Sequence, residues 1–408
     1  MADNKDKKVL NVPALRFPEF SGEWENLRLS DFATKITKKN KGNIVKNILC
    51  NSANLGLVPQ GNYFDREIAN TENTDGYYVI CNGDFVYNPR KSTAAPFGPV
   101  NIYEGEDAGI ISPLYLCFSI HNIFPKFLYY RFKSSAWHSY VYSHGDSGVR
   151  FDRVSIKDDV FFDMPVYKPA QDEQIKIATI LQLIDERIAT QNKIIEKYES
   201  LIQAMCDTLI GKKTQQVMLS FNDFGESYSG LSGKSAEDFG EGSPYITYMN
   251  VYQNQIIDIT DIGLVKINKT EQQSLVQYGD ILFTLSSETP EEVGMGAVYL
   301  GETYPLYLNS FCFGIHITDE SKIFPPFLAY YVSSESFRKA VFPLAQGSTR
   351  FNLQKGDFLK KVFPFPAIEQ QRKIYSILKT YSDKLNIEKQ MIKLLCCQKQ
   401  YLLRQLFI

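Results

Sequence analysis

Pro169-Ala-Gln-Asp-Glu-Gln174 opens a stretch that runs to about Ile210 with no further proline and no glycine. Its apolar residues fall at Ile177, Ile180, Leu181, Ile184, Ile188, Ile195, Tyr198, Ile202 and Met205. Steps of three, four and seven put them on one face of a single α-helix. Roughly 40 residues at about 1.5 Å each give a rod of about 60 Å, and Gly211 stands where a C-terminal cap is expected. Pro366-Ala-Ile-Glu-Gln-Gln371 opens a second such rod, with Ile374, Ile377, Leu378, Tyr381, Leu385, Ile392 and Leu395, running almost to Ile408. A helix roughly four times the usual length with one apolar stripe needs a partner to cover it. The simplest partner is the other rod, paired antiparallel, with the two globular parts at opposite ends and related by a pseudo-twofold axis. The alternative is that each rod folds back on its own domain. Cys396-Cys397 lies near the stripe and reads as packing.

The rods belong to a larger duplication. Gly83-Asp-Phe-Val, Ile123-Phe-Pro-Lys-Phe-Leu-Tyr-Tyr130 and Gly148-Val-Arg-Phe151 precede the first rod. Gly279-Asp-Ile-Leu, Ile323-Phe-Pro-Pro-Phe-Leu-Ala-Tyr330 and Ser348-Thr-Arg-Phe351 precede the second. Gly83 and Gly279 are 196 positions apart, Arg150 and Arg350 are 200 apart, and Pro169 and Pro366 are 197 apart. A period that long is a duplicated domain rather than a solenoid, whose repeats run about 20–50 residues. A duplicated domain suggests a target that itself has two halves.

Between these landmarks the texture is short and strand-like. Tyr77–Cys81, Asp84–Tyr87, Leu114–Ser119, Tyr245–Tyr248, Asp280–Thr284 and Phe311–Ile317 read as strands, and 127–142 reads as one helix. Residues 1–20, with Pro13 and Pro18, read as a loose arm, and Gly225 to Gly242 is a Gly/Ser-rich opening to the second half. The chain has 408 residues, 44% hydrophobic and 22% charged, enough for two cores. A net charge of −2 supplies no global basic field, so any nucleic-acid contact must come from a local basic face. Seven cysteines without a C-x-x-C pair and four histidines suggest neither a disulfide framework nor a zinc site, and fit a reducing cytoplasm. The polar N-terminus is unlike a signal peptide, and no apolar run approaches the ~18 residues of a membrane span, so a soluble protein is expected.

Leu15-Arg-Phe-Pro-Glu-Phe-Ser-Gly-Glu-Trp24 followed by Leu27 resembles the opening of specificity subunits of type I restriction-modification systems. The Gly-Asp turn, the Arg-Phe element after a glycine (Gly-x-Arg-Phe in the first half, Gly-x-x-Arg-Phe in the second) and the Pro-x-x-[Asp/Glu]-[Glu/Gln]-Gln opening of a long helix resemble that family's recurring pattern, here in both halves. The resemblance implies an α+β fold: two α/β target recognition domains (21–168 and 213–365), each followed by a conserved helical region (169–212 and 366–408) acting as a spacer helix. It also implies the job. Each domain reads one half of a split double-stranded DNA sequence, and the antiparallel coiled coil fixes the spacing. Two modification subunits and the restriction subunits do the chemistry, and S-adenosylmethionine, ATP and Mg belong to those partners rather than to this chain. On the resemblance, helix surfaces around Glu173, Gln174, Gln370 and Gln371 are where modification subunits dock. Ile177, Ile184, Ile188, Ile374, Leu378 and Leu385 are helix-pairing positions.

Arg150 and Arg350 occupy the same place in the two copies. Such an arginine after small residues can meet a phosphate, read a guanine edge, or tie the loop to its own domain. Ser348 sits in the same turn. Asn88-Pro-Arg90-Lys91-Ser92 has Thr284-Leu-Ser-Ser-Glu-Thr at the matching position of the second copy, a divergence that base readout and loop drift both produce. Lys35, Lys38, Lys39, Lys41 and Lys46 form the densest basic run, suited to phosphates or simply to water. The chain has no G-x-x-x-x-G-K-[ST] loop, no Asn-Pro-Pro-Tyr-type adenine methylation motif and no paired nuclease carboxylates with a matching lysine. Recognition without catalysis is the expectation. The rival readings are a self-contained DNA-modifying enzyme with a degenerate site and a coiled-coil scaffold with no DNA role.

Overall fold

The Gly-Asp landmarks build the same turn twice. Gly83 and Gly279 both sit at φ 89°, a left-handed conformation that costs an L-residue strain. The next residue caps the turn: Asp84 accepts the Cys81 N–H at 2.7 Å, and Asp280 accepts the Gln277 N–H at 2.8 Å. From each turn a strand enters a four-stranded antiparallel sheet. The computed structural model describes residues 10–62, 74–145, 152–211, 216–268, 270–302 and 304–408. It divides into one unit of residues 1–191 and 391–408 and a second of residues 192–390.

In the first unit the sheet order is Ala33–Lys35, Leu116–Ile120, Phe85–Tyr87, Val100–Ile102. Helix Pro125–Lys133 begins at the proline of the Ile-Phe-Pro landmark, where a missing N–H costs nothing. The single helix expected over 127–142 is two, because Ser134 Oγ donates to the Arg131 carbonyl at 2.7 Å and closes the first before His138–His144 starts. The break lets Trp137, 1% exposed, enter the core with its indole N–H on the Phe132 carbonyl at 3.1 Å. Phe85, Phe118, Phe127, Phe132 and Phe161 fill the rest of that core.

The second unit repeats the plan with Gly225–Ser229, Cys312–Ile317, Ile281–Thr284 and Gly296–Val298 in the same order. Helices Pro325–Tyr331 and Glu335–Val341 take the places of the first pair. The Gly/Ser-rich opening therefore holds a core strand, in which Gly225 lies against the His316 carbonyl with no room for a Cβ. The strand expected through Tyr248 ends at Ile246, because Thr247 Oγ1 accepts the Asn250 N–H at 3.1 Å and caps a helix from Tyr248 to Gln253.

The rods are helices Gln171–Ile210 and Ile368–Gln405. In the first unit Ile177, Ala178 and Leu181 share a core with Leu402, Leu403, Leu406 and Phe407, while Lys399 pairs with Asp185. In the second, Cys206 and Ile210 share a core with Ile374 and Leu378, while Lys389 pairs with Glu199 at 2.6 Å. As one helix advances its partners recede, so the segments run antiparallel in each unit. Ile177, Ile374 and Leu378 are buried, and Ile184, Ile188 and Leu385 are half-buried along the same stripe. Both packings considered from sequence operate together, since the start of each rod also packs on its preceding domain. Cys396 and Cys397 are exposed rather than packed, because the stripe passes through Ile392, Leu395 and Leu402 and leaves them outside it.

Of the arm expected over 1–20, residues 1–9 lie outside the described residues, and 10–20 is tied down rather than loose. Leu15 N–H bonds the Gln405 carbonyl, and Arg16 grips Glu173 through Nε and Nη2, both at 2.8 Å. Glu173 is 1% exposed and also receives the Trp24 indole N–H. This corrects the docking expectation for three residues. Gln174 accepts the Phe124 N–H at 2.8 Å and donates to the Pro169 carbonyl at 2.8 Å. Gln371 accepts the Phe324 N–H and donates to the Lys322 and Pro366 carbonyls, all at 2.9 Å. Glu173, Gln174 and Gln371 are therefore internal clasps, and only Gln370 of that set is exposed.

Candidate nucleic-acid interface

The divergent loop and the arginine turn, more than 50 residues apart in sequence, meet in space in the second unit. Ser286–Ser287 continues from the sheet strand and pairs with Phe351–Leu353, which forms a hairpin with Ala345–Gln346. The tip of that hairpin carries Ser348 and Arg350, both exposed. Gly347, at φ 146° and against the Arg350 carbonyl, has no space for a side chain. Arg350 lines a hollow of about 320 Å³ with Tyr248, Tyr252, Ser286, Ser287, Glu288 and Glu292. Hydroxyls of Tyr252, Thr289 and Ser287 hold the Glu292 carboxyl below its usual range, so it remains an ionised acceptor. Tyr248 and Tyr252 stack at 6.0 Å.

The first unit builds the same junction with other residues. Arg90 pairs with Arg153 as Ser286 pairs with Asn352. The Lys91 N–H bonds the Asp152 carbonyl and the Val154 N–H the Pro89 carbonyl, both at 2.8 Å. Beside them lies a hollow of about 550 Å³ whose lining includes Lys35, Tyr78, Tyr87, Pro89, Tyr115 and Arg153. Lys35 bonds Asp158 at 2.5 Å, which holds its ammonium above the ordinary lysine value and keeps it charged. Arg90, Lys91, Lys38 and Lys39 are exposed. Lys38 and Lys39 lie next to Tyr78, the former through its carbonyl to the Val79 N–H at 2.9 Å, the latter through a bridge to Tyr78 itself. Arg150 lies outside the described residues. Sequence reading missed Arg153, Tyr248, Tyr252 and Glu292. Only Arg153 had a signal, three positions past the arginine landmark.

The two junctions thus share a backbone and differ in chemistry. Both hollows carry tyrosines and hydroxyls, but the first sets two cations, Lys35 and Arg153, beside one carboxylate, Asp158, whereas the second sets one cation, Arg350, beside two carboxylates, Glu288 and Glu292. Both chemistries suit polar groups on nucleic-acid bases and phosphates. Among the described residues no group of three or more His, Cys, Asp and Glu side chains is placed to hold a metal ion, and no helix is long and apolar enough to cross a membrane.

Comparison with known proteins points the same way. A family model described as the type I restriction modification DNA specificity domain matches residues 218–395. The chain is 24% identical over 418 residues to the specificity subunit of the type I restriction enzyme MjaVIII from Methanocaldococcus jannaschii, covering 94% of this chain and 91% of that one. It is 27% identical over 137 residues to the EcoKI specificity subunit of Escherichia coli strain K12, covering 34% of this chain and 29% of that one. In fold it resembles a chain from a structure of the assembly and conformational transition of the type I R-M system, with TM-score 0.60 and 14% identity over 93% of this chain and 96% of that one. It also resembles the type I S subunit from M. genitalium, with TM-score 0.53 and 17% identity over 97% of this chain and 99% of that one. With its duplicated α+β units and two long helices, the chain shares the fold of these type I R-M structures, and its residues 218–395 match the DNA specificity domain of type I restriction-modification systems.

Proposed function

We propose that this chain selects a bipartite double-stranded DNA target, one half-site for each target recognition domain, and directs adenine methylation and restriction that partner subunits carry out. The observation that carries the reading is the pair of junctions: one scaffold built twice, with unlike side chains at the place where a ligand would be met. A protein that bound one ligand twice would keep those side chains alike. The long helices set the number of base pairs between half-sites, and their exposed faces, Gln370 included, are offered to two modification subunits. Restriction subunits complete the assembly. S-adenosylmethionine, ATP and Mg belong to those partners, and the work is cytoplasmic, where the DNA is. The test is genome-wide mapping of modified adenines in cells with and without this chain. A split motif that appears only with the chain is the expected result. Methylation or cleavage by the purified chain alone would overturn the division of labour.

A further inference from the structure

The loop bearing Arg90 is exposed at its side chains and anchored at its backbone, a combination that loop drift does not explain. Asn88, 9% exposed, accepts the Arg90 N–H on Oδ1 at 3.0 Å and donates from Nδ2 to the Asn51 carbonyl at 3.3 Å. Asn51 donates to the Val86 carbonyl at 2.8 Å and accepts from Asn101 at 2.6 Å. Asn101 in turn accepts from Lys133 at 2.5 Å. Four buried or largely buried polar residues therefore connect helix Pro125–Lys133 to the backbone of Arg90, through side chains from Lys133 to Asn51 and through the Asn51 backbone carbonyl to Asn88. Burying amides costs free energy unless each is satisfied, and a satisfied network fixes one geometry. The matching positions of the second unit are Thr284, Ala297 and Ser333, so the shared fold does not require this chain of bonds.

We infer that Arg90 is a guanine-reading residue of the first half-site, with Asn88, Asn51 and Asn101 as its positioning residues. The inference rests on the reading of this chain as a DNA-recognition subunit. A guanidinium is the side chain that matches the O6 and N7 acceptors of guanine in the major groove with two parallel hydrogen bonds. Such a match is geometric, so it needs a rigid base, and the asparagine chain supplies one. Arg153, the bridge partner of Arg90, brings a second guanidinium to the same strand pair, and Lys35, paired with Asp158, lines the hollow beside Pro89.

The test maps modified adenines in cells carrying the full chain, its Arg90→Gln variant or its Arg90→Lys variant, alongside retention of a matched duplex at several salt concentrations. With wild type, a split motif with a guanine in one half-site is expected. Arg90→Gln should lose preference for that guanine by roughly ten- to hundredfold, leaving the other half-site and the spacer unchanged. Arg90→Lys should keep part of the preference. Arg90 is exposed, so neither variant threatens folding. A variant that weakens every site alike and lowers the salt slope by about one would make Arg90 a phosphate contact and overturn the inference. An unchanged motif would overturn it too. A wild-type chain that directs no modification would bring down the functional reading and this inference together, whereas the other two failures leave the functional reading standing.

Discussion

Replacing Gln371 by alanine should be among the most damaging single changes in the second unit. The side chain is 0% exposed and makes three hydrogen bonds. Its loss strands the Phe324 N–H without a partner at the foot of helix Pro325–Tyr331 and takes donors from two carbonyls. A stranded buried donor costs about 1–3 kcal/mol, and each lost bond about 1 kcal/mol net. The sum is about 3–5 kcal/mol. For a unit of this size that lowers its melting temperature by roughly 10 °C, at about 2–4 °C per kcal/mol. Calorimetry on the full chain should show one transition move while the other stays, and Gln174→Ala should move the other one.

Gln371→Glu sharpens the test. The carboxyl keeps an acceptor for Phe324 but, when ionised, faces the Lys322 and Pro366 carbonyls with no proton to give. Burial would raise its folded pKa above the unfolded value of about 4.3. The folded state then binds the extra proton, so stability falls as pH rises through that window and recovers below it. Gln371→Ala has no such dependence. If alanine costs under about 1 kcal/mol, or if both variants show the same pH profile, the clasp does not hold helix to domain and the account of the motif is wrong.

Four further outcomes follow. Arg16→Met leaves the Glu173 carboxylate buried and without its bidentate partner, and should cost the first unit about 3–5 kcal/mol in denaturant titration; a loss below 1 kcal/mol would mean the arm is dispensable. Lys38→Gln with Lys39→Gln should lower the slope of log affinity against log salt by up to about 1.8 without altering the motif, since each phosphate contact contributes about 0.9; a changed motif would make them base readers. Seven residues inserted after Ile188 and seven after Leu395 on the facing helix add about 10 Å, and should widen the spacer by about three base pairs with both half-sites intact; altered half-sites would refute the ruler. Burial, with Lys399 nearby, lowers the Lys133 ammonium to about 8, against the attraction of Asp185. The unfolded chain therefore holds that proton to higher pH than the folded one, and this group adds stability as pH rises from about 8 to about 10. Lys133→Met should lack that increment in a wild-type-minus-variant comparison, and equal slopes would sink the assignment.

How much of this was legible in the sequence depended on whether a residue's role was local. The rods were legible because a helical stripe is periodic, and the Gly-Asp and Ile-Phe-Pro landmarks were legible because a left-handed turn and a helix start each demand a residue type. The break at Ser134 was hidden, since a serine inside a helical pattern shows nothing of its bond to Arg131. Glu173, Gln174 and Gln371 misled for a related reason. Polar residues at a helix start look like surface, and only the path of segments 15–24, 122–124 and 322–324 turns them inward. The junction itself was half legible. Its loop and its turn were each singled out, but their adjacency comes from sheet pairing between residues more than 50 positions apart.

The duplication preserved some contacts and replaced others, and the difference separates shared scaffold from what is particular to each half. The glutamine clasps recur, Gln174 on the Phe124 N–H and Pro169 carbonyl and Gln371 on the Phe324 N–H and Pro366 carbonyl, with the Lys322 carbonyl added in the second. The tyrosine of each Ile-Phe-Pro helix reaches the rod in both copies, Tyr130 to Asp185 and Tyr330 to Ser382, with only the acceptor changed. Those contacts fix domain to helix and have one good solution, so both copies kept it. Behind the loops, the first copy holds its backbone through Asn88, Asn51 and Asn101. The second uses Thr284 Oγ1 as acceptor of the Met295 N–H at 3.0 Å, with an alanine where Asn101 would be. Drift of a solvent loop would alter the exposed tips and leave the buried support alone. Here tips and support changed together, as expected of a surface whose geometry was fitted to its ligand independently in each half.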